Sequence, residues 1–429
     1  IVIPVLNEGE GLAARLRALQ PLRARGAELV VVDGGSTDST WAIARALADR
    51  VLLAPRGRAA QMHAGAQGAQ SAALLFLHAD TQLPSDADSL MAKALLEAHW
   101  GRFDVRIDSP QWPLRLVAGM MNLRSRLTGI ATGDQAMFVR RETFEAVGGF
   151  AAIPLMEDIA LCKSLLHVGP PACLRERVTT SARRWQKHGV WRTVLLMWRL
   201  RAAYFFGVAP DLLAERYGYT PAPAPSPAAV AAMAKAPLPG FAKTRLIPLL
   251  GAAGAARAQR KFTLDTLCTA QCLTPQALTL WCAPHAQQRF FRALRKTTKV
   301  VCQAQGEGDL GEKMQAIVAQ HFSNQAAKPL LIMGTDCPLL SPGHLQQAAA
   351  ALADHDAVLI PAEDGGYVLI GLRRPVLAVF ENVSWSTPQV LQQTRQQLRL
   401  AGASWHEMAP LWDIDEPADW QRLASMQLH

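Results

Sequence analysis

Apolar runs and amphipathic stretches alternate along the first hundred residues. Val30-Val31-Val32 is a run of three β-branched residues, which suits a strand buried on both faces. It ends on Asp33, and Gly34-Gly35 turns the backbone sharply. Ser36, Thr37 and Asp38 follow as good N-cap types for a helix. The same pattern predicts strands over 1–5, 51–54 and 73–77, and helices over 9–19, 40–49, 62–71 and 85–97. Strands and helices in alternation imply an α/β fold with a mostly parallel sheet. Such sheets bind ligands at the carboxyl ends of their strands, where Asp33 stands. An acid that only caps the turn is the alternative.

The pattern is less regular from 100 to 180. Residues 101–107 and 136–140 read as strands, 142–147 and 156–168 as helices. Residues 220–227 (TPAPAPSP) are extended and pack poorly, the character of a Pro/Ala linker. The alternation then restarts. Strands are predicted over 228–234, 278–282, 330–333, 357–360 and 367–371, and helices over 344–353 and 388–400. The expected organisation is a domain over 1–219, a linker over 220–227 and a second α/β domain over 228–429. No close sequence repeat relates the halves.

Composition adds limits. A chain of 429 residues, 50% hydrophobic, is long enough for two cores. The formal net charge of +9 favours anionic ligands or an anionic membrane surface, with a generally solvated basic surface as the alternative. No nucleic-acid motif occurs, and aromatics do not form a stacking platform, so nucleic acid is not an expected partner. Seven scattered cysteines without a CxxC pair point to a reduced, cytoplasmic chain. Residues 188–207 are apolar but carry Arg192, Arg199 and Arg201, too many charges for a bilayer span. An amphipathic helix at the inner face of a membrane fits them, as does a helix packed on the domain or in a dimer contact.

Acidic positions at strand ends and helix starts carry the candidate chemistry. Asp80 follows the strand over 73–77 and suits Mg²⁺ or Mn²⁺, which prefer hard oxygen ligands. Glu157-Asp158 opens a helix, where a carboxylate is favoured by the dipole whether or not it has another role. Arg56-Gly57-Arg58 places cations on a loop before a helix, suited to a pyrophosphate.

These residues, in Ile3-Pro4-Val5-Leu6-Asn7-Glu8, Val32–Asp38, Leu77-His78-Ala79-Asp80-Thr81 and Met156–Leu161, resemble the family 2 inverting glycosyltransferases of the GT-A fold. The forms GRAAQMHAGA, FLHADT and TGDQAMFVRRETFEAVGGF resemble a subfamily described as arsenosugar-biosynthesis-type. The resemblance implies that Pro4, Asn7 and Glu8 line a nucleotide pocket. It implies that Asp33 accepts from the base imide, that Arg58 faces the nucleotide or diphosphate, and that Asp80 binds the metal. Asp158 or Glu157 would be the catalytic base that deprotonates an acceptor hydroxyl. The usual Asp-x-Asp metal motif of the family reads His78-Ala79-Asp80 here.

The second half has its own set. Lys235 and the loop through Lys243 and Arg245 put cations after the first strand, suited to phosphate oxygens or to solvent alone. Asp336 stands at a strand end, Glu363-Asp364-Gly365-Gly366 is an acidic Gly turn, and Asp413 and Asp415 share a face if extended. AKAPLPGFAKTRL, GEGDLGEKM, GTDCPLL, PAEDGGYVLIGL, SWSTPQVL and DIDEPAD resemble a family related to 2-phospholactate and molybdenum-cofactor guanylyltransferases. By that resemblance Lys243 and Arg245 face phosphates, Asp336 and Asp415 hold Mg²⁺, and Asp364 with Gly365-Gly366 lines the substrate. Pro-Leu-Pro-Gly replaces the glycines typical of that family's first loop. The expectation is two GT-A-like, Rossmann-like α/β domains of the nucleotide-diphospho-sugar transferase type. The first transfers a sugar from a nucleotide-sugar donor to a small or lipid acceptor. The second makes or binds an activated nucleotide, or serves as a non-catalytic nucleotide-sensing or scaffold module; that the whole chain is a nucleotidyltransferase is the other alternative.

Overall fold

The computed structural model describes residues 1–219, 228–273, 278–298, 300–325 and 327–428. The expected linker over 220–227 lies outside the described residues. The chain divides into two compact units, residues 1–222 and 223–428.

The first unit contains strands β1 (Val2–Val5), β2 (Val30–Asp33), β3 (Arg50–Leu53) and β4 (Ala73–Leu75). They are followed by β5 (Thr81–Gln82), β6 (Trp100–Asp108), β7 (Phe138–Arg140) and β8 (Ala172–Ser181). Its helices are α1 (Gly9–Ala18), α2 (Gln20–Ala24), α3 (Thr40–Leu47), α4 (Arg58–Gly68), α5 (Ala87–Glu97) and α6 (Trp112–Thr128). After them come α7 (Arg141–Ala146), α8 (Glu157–Leu166), α9 (Arg183–His188), α10 (Val190–Phe205) and α11 (Pro210–Tyr217).

β1, β2 and β3 form a parallel sheet, with Val2 opposite Val30 and Val5 opposite Asp33. A parallel bridge from Val2 to Phe76 continues it into the order β4-β7-β6-β8-β5. β7 runs antiparallel to β4 and β6, and β6 runs parallel to β8. Successive side chains of a strand point to opposite faces, so a continuous apolar strand feeds two cores. Val30 and Val32 accordingly pack with Met62 and Phe76 on one face, and Val31 with Leu12 and Leu16 on the other. Helix α4 lies close against the sheet because Gly65 has no side chain. A Cβ there would stand 2.4 Å from Val2 Cγ1 and 2.8 Å from Val32 Cγ2.

The second unit contains β9 (Ala229–Lys235), β10 (Leu278–Ala283), β11 (Val301–Ala304) and β12 (Leu330–Met333). It also has β13 (Ala357–Pro361), β14 (Tyr367–Leu372) and β15 (Trp405–Glu407). Its helices are α12 (Ile247–Leu273, kinked at Gly251), α13 (Arg289–Thr298), α14 (Leu310–Asn324), α15 (Pro342–Ala351), α16 (Val390–Leu400) and α17 (Pro417–Leu428). The sheet order is β11-β10-β9-β12-β14-β13-β15. β14 is antiparallel to β12 and β13, and β13 is parallel to β15. Strand for strand this repeats β3-β2-β1-β4-β7-β6-β8 of the first unit, including the one reversed strand.

Several elements depart from the expected pattern. β8 and the helices α6 and α12 were not predicted. α4 begins at Arg58, not at residue 62, and β4 stops at Leu75. Helix α6 is hidden in sequence because apolar side chains occupy two of its faces, which erases the amphipathic period.

Candidate functional site

In the first unit several candidate side chains stand where β1, β2 and β4 end. Asp33 is only 1% exposed. Its Oδ1 accepts the N–H groups of Gly35 (2.8 Å) and Ser36 (2.6 Å), and Gly35 adopts φ +95° to make this turn. Its Oδ2 is buried with no protein partner, and burial raises the Asp33 carboxyl above the usual range. Turn capping thus occupies one oxygen and leaves the other. Gln61, which was not singled out from sequence, supports this end. Its Nε2 donates to the carbonyls of Val5 and Val32, both at 2.8 Å, beside Gly34.

The Ser36–Thr40 block does something other than the expected capping. Helix α3 starts after Ser39 with no side-chain cap. Ser36 Oγ accepts the Asn7 N–H, Thr40 Oγ1 accepts the Glu8 N–H, and Asp38 Oδ2 accepts the Gly9 N–H, at 2.8–2.9 Å. Asn7 Oδ1 in turn accepts the Thr37 N–H. Only Asp38 Oδ1, taking the Thr40 N–H, serves the helix start. The block therefore pins the loop after β1, where Asn7 sits at φ +51°. Pro4 lies buried within β1 opposite Val32. The Glu8 carboxylate lies 3.4 Å from Arg15 and 3.6 Å from Arg183.

The two groups of the His78-Ala79-Asp80 stretch meet different neighbours. Asp80 lines a cleft of about 440 Å³ with Arg15, Asp108, Thr179 and Arg183. Asp108 is a second carboxylate at that cleft, missed from sequence because no motif marks it. His78 Nδ1 instead sits 3.1 Å from Asp134 Oδ1. The turn carrying Asp134 closes on the imidazole so tightly that a Cβ on Gly133 would be 2.3 Å from His78 Nε2. The Gly133 N–H donates to Asp158 Oδ2 (3.3 Å), which ties the acidic start of α8 to the same turn.

Glu157 and Asp158 lie side by side in the first turn of α8. Burial raises both carboxyls above the usual range, the Asp158 charge adding to the rise of Glu157, while Arg58 and His78 pull both back. Asp158 also accepts the Ile159 N–H at 2.8 Å. Arg124 of α6, another group the motifs did not mark, feels Asp158; burial lowers its guanidinium nonetheless. The fold thus brings Arg58, His78, Arg124, Glu157 and Asp158 into one electrostatic cluster.

In the second unit, Lys235, Lys243, Arg245, Asp336, Asp364, Gly366 and Asp415 line one cavity of about 780 Å³. Gly365 is beside it at φ +90°, with the Pro388 carbonyl where a Cβ would go. Asp364 Oδ1 accepts the Gly366 N–H and shapes this turn. Lys243 does not simply face open space for a phosphate. Its ammonium sits 2.8 Å from Asp415 Oδ1 and 3.3 Å from Asp336 Oδ2, nearly buried. Burial alone would lower its pKa, but the two acids outweigh it and raise it. Arg245 reaches Asp415 and Glu416 at 3.5 Å.

Oxygens of Asp336, Asp413 and Asp415 lie within 4.8 Å of one another. An all-carboxylate donor set of this kind fits Mg²⁺ or Mn²⁺. Asp413, read from sequence only as the same-face companion of Asp415, joins the cluster. Burial, with Asp336, Asp364 and Asp415 nearby, pushes its carboxyl up to about 7. Lys313 of α14 also lines the cavity without having been singled out.

Residues 1–148 match the family described as glycosyl transferase family 2, and residues 263–387 match an uncharacterized protein family conserved in bacteria (DUF2064). No curated protein matches the chain. Among solved structures, an unproven nucleotide-diphospho-sugar transferase from Desulfovibrio desulfuricans G20 shares 28% identity over 44% of this chain and 82% of its own, with a TM-score of 0.41. Glucosyl-3-phosphoglycerate synthase from Mycobacterium tuberculosis, with Mn²⁺ and UDP-glucose, shares 17% identity over 42% of this chain and 68% of its own, TM-score 0.32. TarS 1–349 of S. aureus with UDP-GlcNAc shares 17% identity over 42% and 57%, TM-score 0.34.

Proposed function

For a chain whose residues 1–148 match glycosyl transferase family 2, we propose an inverting transfer from a nucleotide-sugar donor to an acceptor hydroxyl, with Asp158 as the base. The observation that carries this is the cluster at the start of α8. Asp158 sits beside Arg58 and His78 with its carboxyl held above the ordinary range, so it takes a proton more readily than a surface aspartate. Asp158 removes the acceptor proton as that oxygen attacks the anomeric carbon. The bond to the nucleoside diphosphate breaks on the opposite face, which inverts the centre. Arg58 faces the charge that develops on the leaving diphosphate. Asp33 Oδ2, buried and unpartnered, accepts from the N–H of the donor base. Asn7 and Glu8 shape the same pocket from the pinned loop after β1. Asp80 holds Mg²⁺ or Mn²⁺; such a cation, when bound, neutralises the diphosphate. The arsenosugar-type resemblance names a subfamily and adds no arsenic chemistry to this reading.

The second unit is read as a GT-A-like nucleotide-binding domain. Support comes from its strand order, which repeats that of the first unit, and from the 780 Å³ cavity with Lys235, Lys243, Arg245 and four acids. Asp336, Asp413 and Asp415 would hold the divalent cation, and Lys235 and Arg245 would face phosphates, while Lys243 is held between Asp336 and Asp415. The rival reading, a non-catalytic nucleotide-sensing module, draws on the Lys243 ion pairs, which already neutralise two of those acids. Release of pyrophosphate from a nucleoside triphosphate and a sugar phosphate distinguishes the two.

The test is a panel of nucleotide sugars with Mn²⁺ or Mg²⁺, reading nucleoside diphosphate release. Release is expected with one donor class. Asp158→Asn should lower it by about 10²–10⁴-fold with donor binding retained. No release with any donor, or full activity of Asp158→Asn, overturns the assignment.

A further inference from the structure

Two helices of the first unit turn apolar stripes outward. On α6, Trp112, Leu116, Met120, Leu123 and Leu127 are 47–76% exposed. Spacings of four, four, three and four place them on one helix face. The opposite face, Leu114, Ala118, Asn122 and Ser125, is buried. On α10, Trp191, Leu195, Trp198 and Phe205 are 56–78% exposed and again share a face, while Thr193 and Leu200 are buried. Both helices border the cores of the first unit. Val117 and Met121 of α6 and Val190 of α10 pack on one apolar cluster. Ile130, just past α6, packs with Leu196 and Leu200 of α10 in another.

The charge around the stripes has one sign. Residues 109–133 and 177–210 contain no Asp or Glu, but they contain ten Lys and Arg. Arg115, Arg192 and Arg199 are exposed along the stripe borders. No described helix is long and apolar enough to cross a membrane.

We propose that α6 and α10 together form a docking surface for an anionic lipid bilayer. The tryptophans and leucines sit at the boundary between headgroups and acyl chains, and the arginines sit at the phosphates. A second copy is the weaker occupant: a two-fold contact would bring the same acid-free, arginine-rich faces together. The bilayer expectation for residues 188–207 thus gains a second helix that sequence did not reveal. This surface does not depend on the identity of the donor or on which acid is the base.

Flotation of the full chain with vesicles of phosphatidylcholine, with and without added phosphatidylglycerol, tests it. The chain should float with the anionic vesicles, and added salt should weaken this. Arg192→Ala and Arg199→Ala should each weaken binding by about fivefold. Leu123→Ser with Trp198→Ser should abolish it while thermal unfolding changes little, since these side chains are mostly exposed. Absence of flotation, or equal flotation with phosphatidylcholine alone, overturns the proposal. So does a concentration-dependent dimer in sedimentation that Leu123→Glu dissociates while the wild type ignores vesicles.

Discussion

Asp33 shows what a single residue can and cannot reveal. Its place at a strand end was legible from three valines and two glycines. That one oxygen is consumed by the turn and the other is left buried and unpartnered was not, because both facts depend on how Gly35, Ser36 and Gln61 fold around it. Asp33→Asn keeps an acceptor for the turn but aims an amide donor at the base. Donor KM should rise by about tenfold or more, with kcat changed little; a fall in kcat at unchanged KM contradicts the base-recognition role. For Asp158 the raised carboxyl predicts that kcat falls with decreasing pH along a limb above the ordinary aspartate range, since only the ionised form accepts a proton. Asp413 gives a stability signature. Its pKa is about 7 folded against 3.8 for the free side chain, so the folded state holds a proton that the unfolded state releases between those values. Stability therefore falls as pH rises through that window, and the cost persists above it. Asp413→Asn removes the cost. With chelator present it should stabilise the second unit by about 1–2 kcal/mol at about pH 8, discounted for partial exposure, and by nothing below about pH 4. Urea melts at the two pH values check this.

At the scale of elements, the close approach of α4 to β1 and β2 sets where Arg58 and Gln61 stand. Gly65→Val would push a branched side chain into Val2 and Val32 and should cost about 1–3 kcal/mol by overpacking. A calorimetric Tm that does not fall contradicts this account of the helix–sheet contact. Helices with one apolar face, such as α1 and α3, could be read from their period. α6 could not, because Leu114 and Ala118 face inward while Trp112, Leu116 and Leu123 face outward. β8 was equally obscure, since it includes Arg175, Glu176 and Arg177 at an exposed stretch, whereas the short β7 was read within the strand expected over 136–140. Short and polar strands are held by their neighbours in the sheet more than by their own sequence.

For the whole molecule, two units with the same strand order carry different side chains at the strand ends. Each has an acid after its fourth strand, Asp80 and Asp336, but their surroundings differ. Asp80 opens on a cleft with Arg15 and Arg183, whereas Asp336 is paired with the Lys243 ammonium. Separate sites predict separate effects. Asp336→Ala should abolish metal-dependent nucleotide binding by the second unit, read by calorimetry with Mn²⁺. Transfer from supplied donor should stay within about threefold. Loss of both together would mean that the sites are coupled.

The sequence by itself determined the α/β alternation in both halves, the apolar strands and most of the residues now found at strand ends. Those follow from local rules: β-branched runs, glycine turns and acids placed where strands stop. Only the tertiary structure decided which acids share a partner. His78 turned to Asp134 rather than joining Asp80, Lys243 settled between Asp336 and Asp415, and Asp413 joined their cluster. It also decided that apolar faces of α6 and α10 remain exposed. Contacts of this kind join residues tens to hundreds of positions apart, and no local pattern carries the geometry that brings them together.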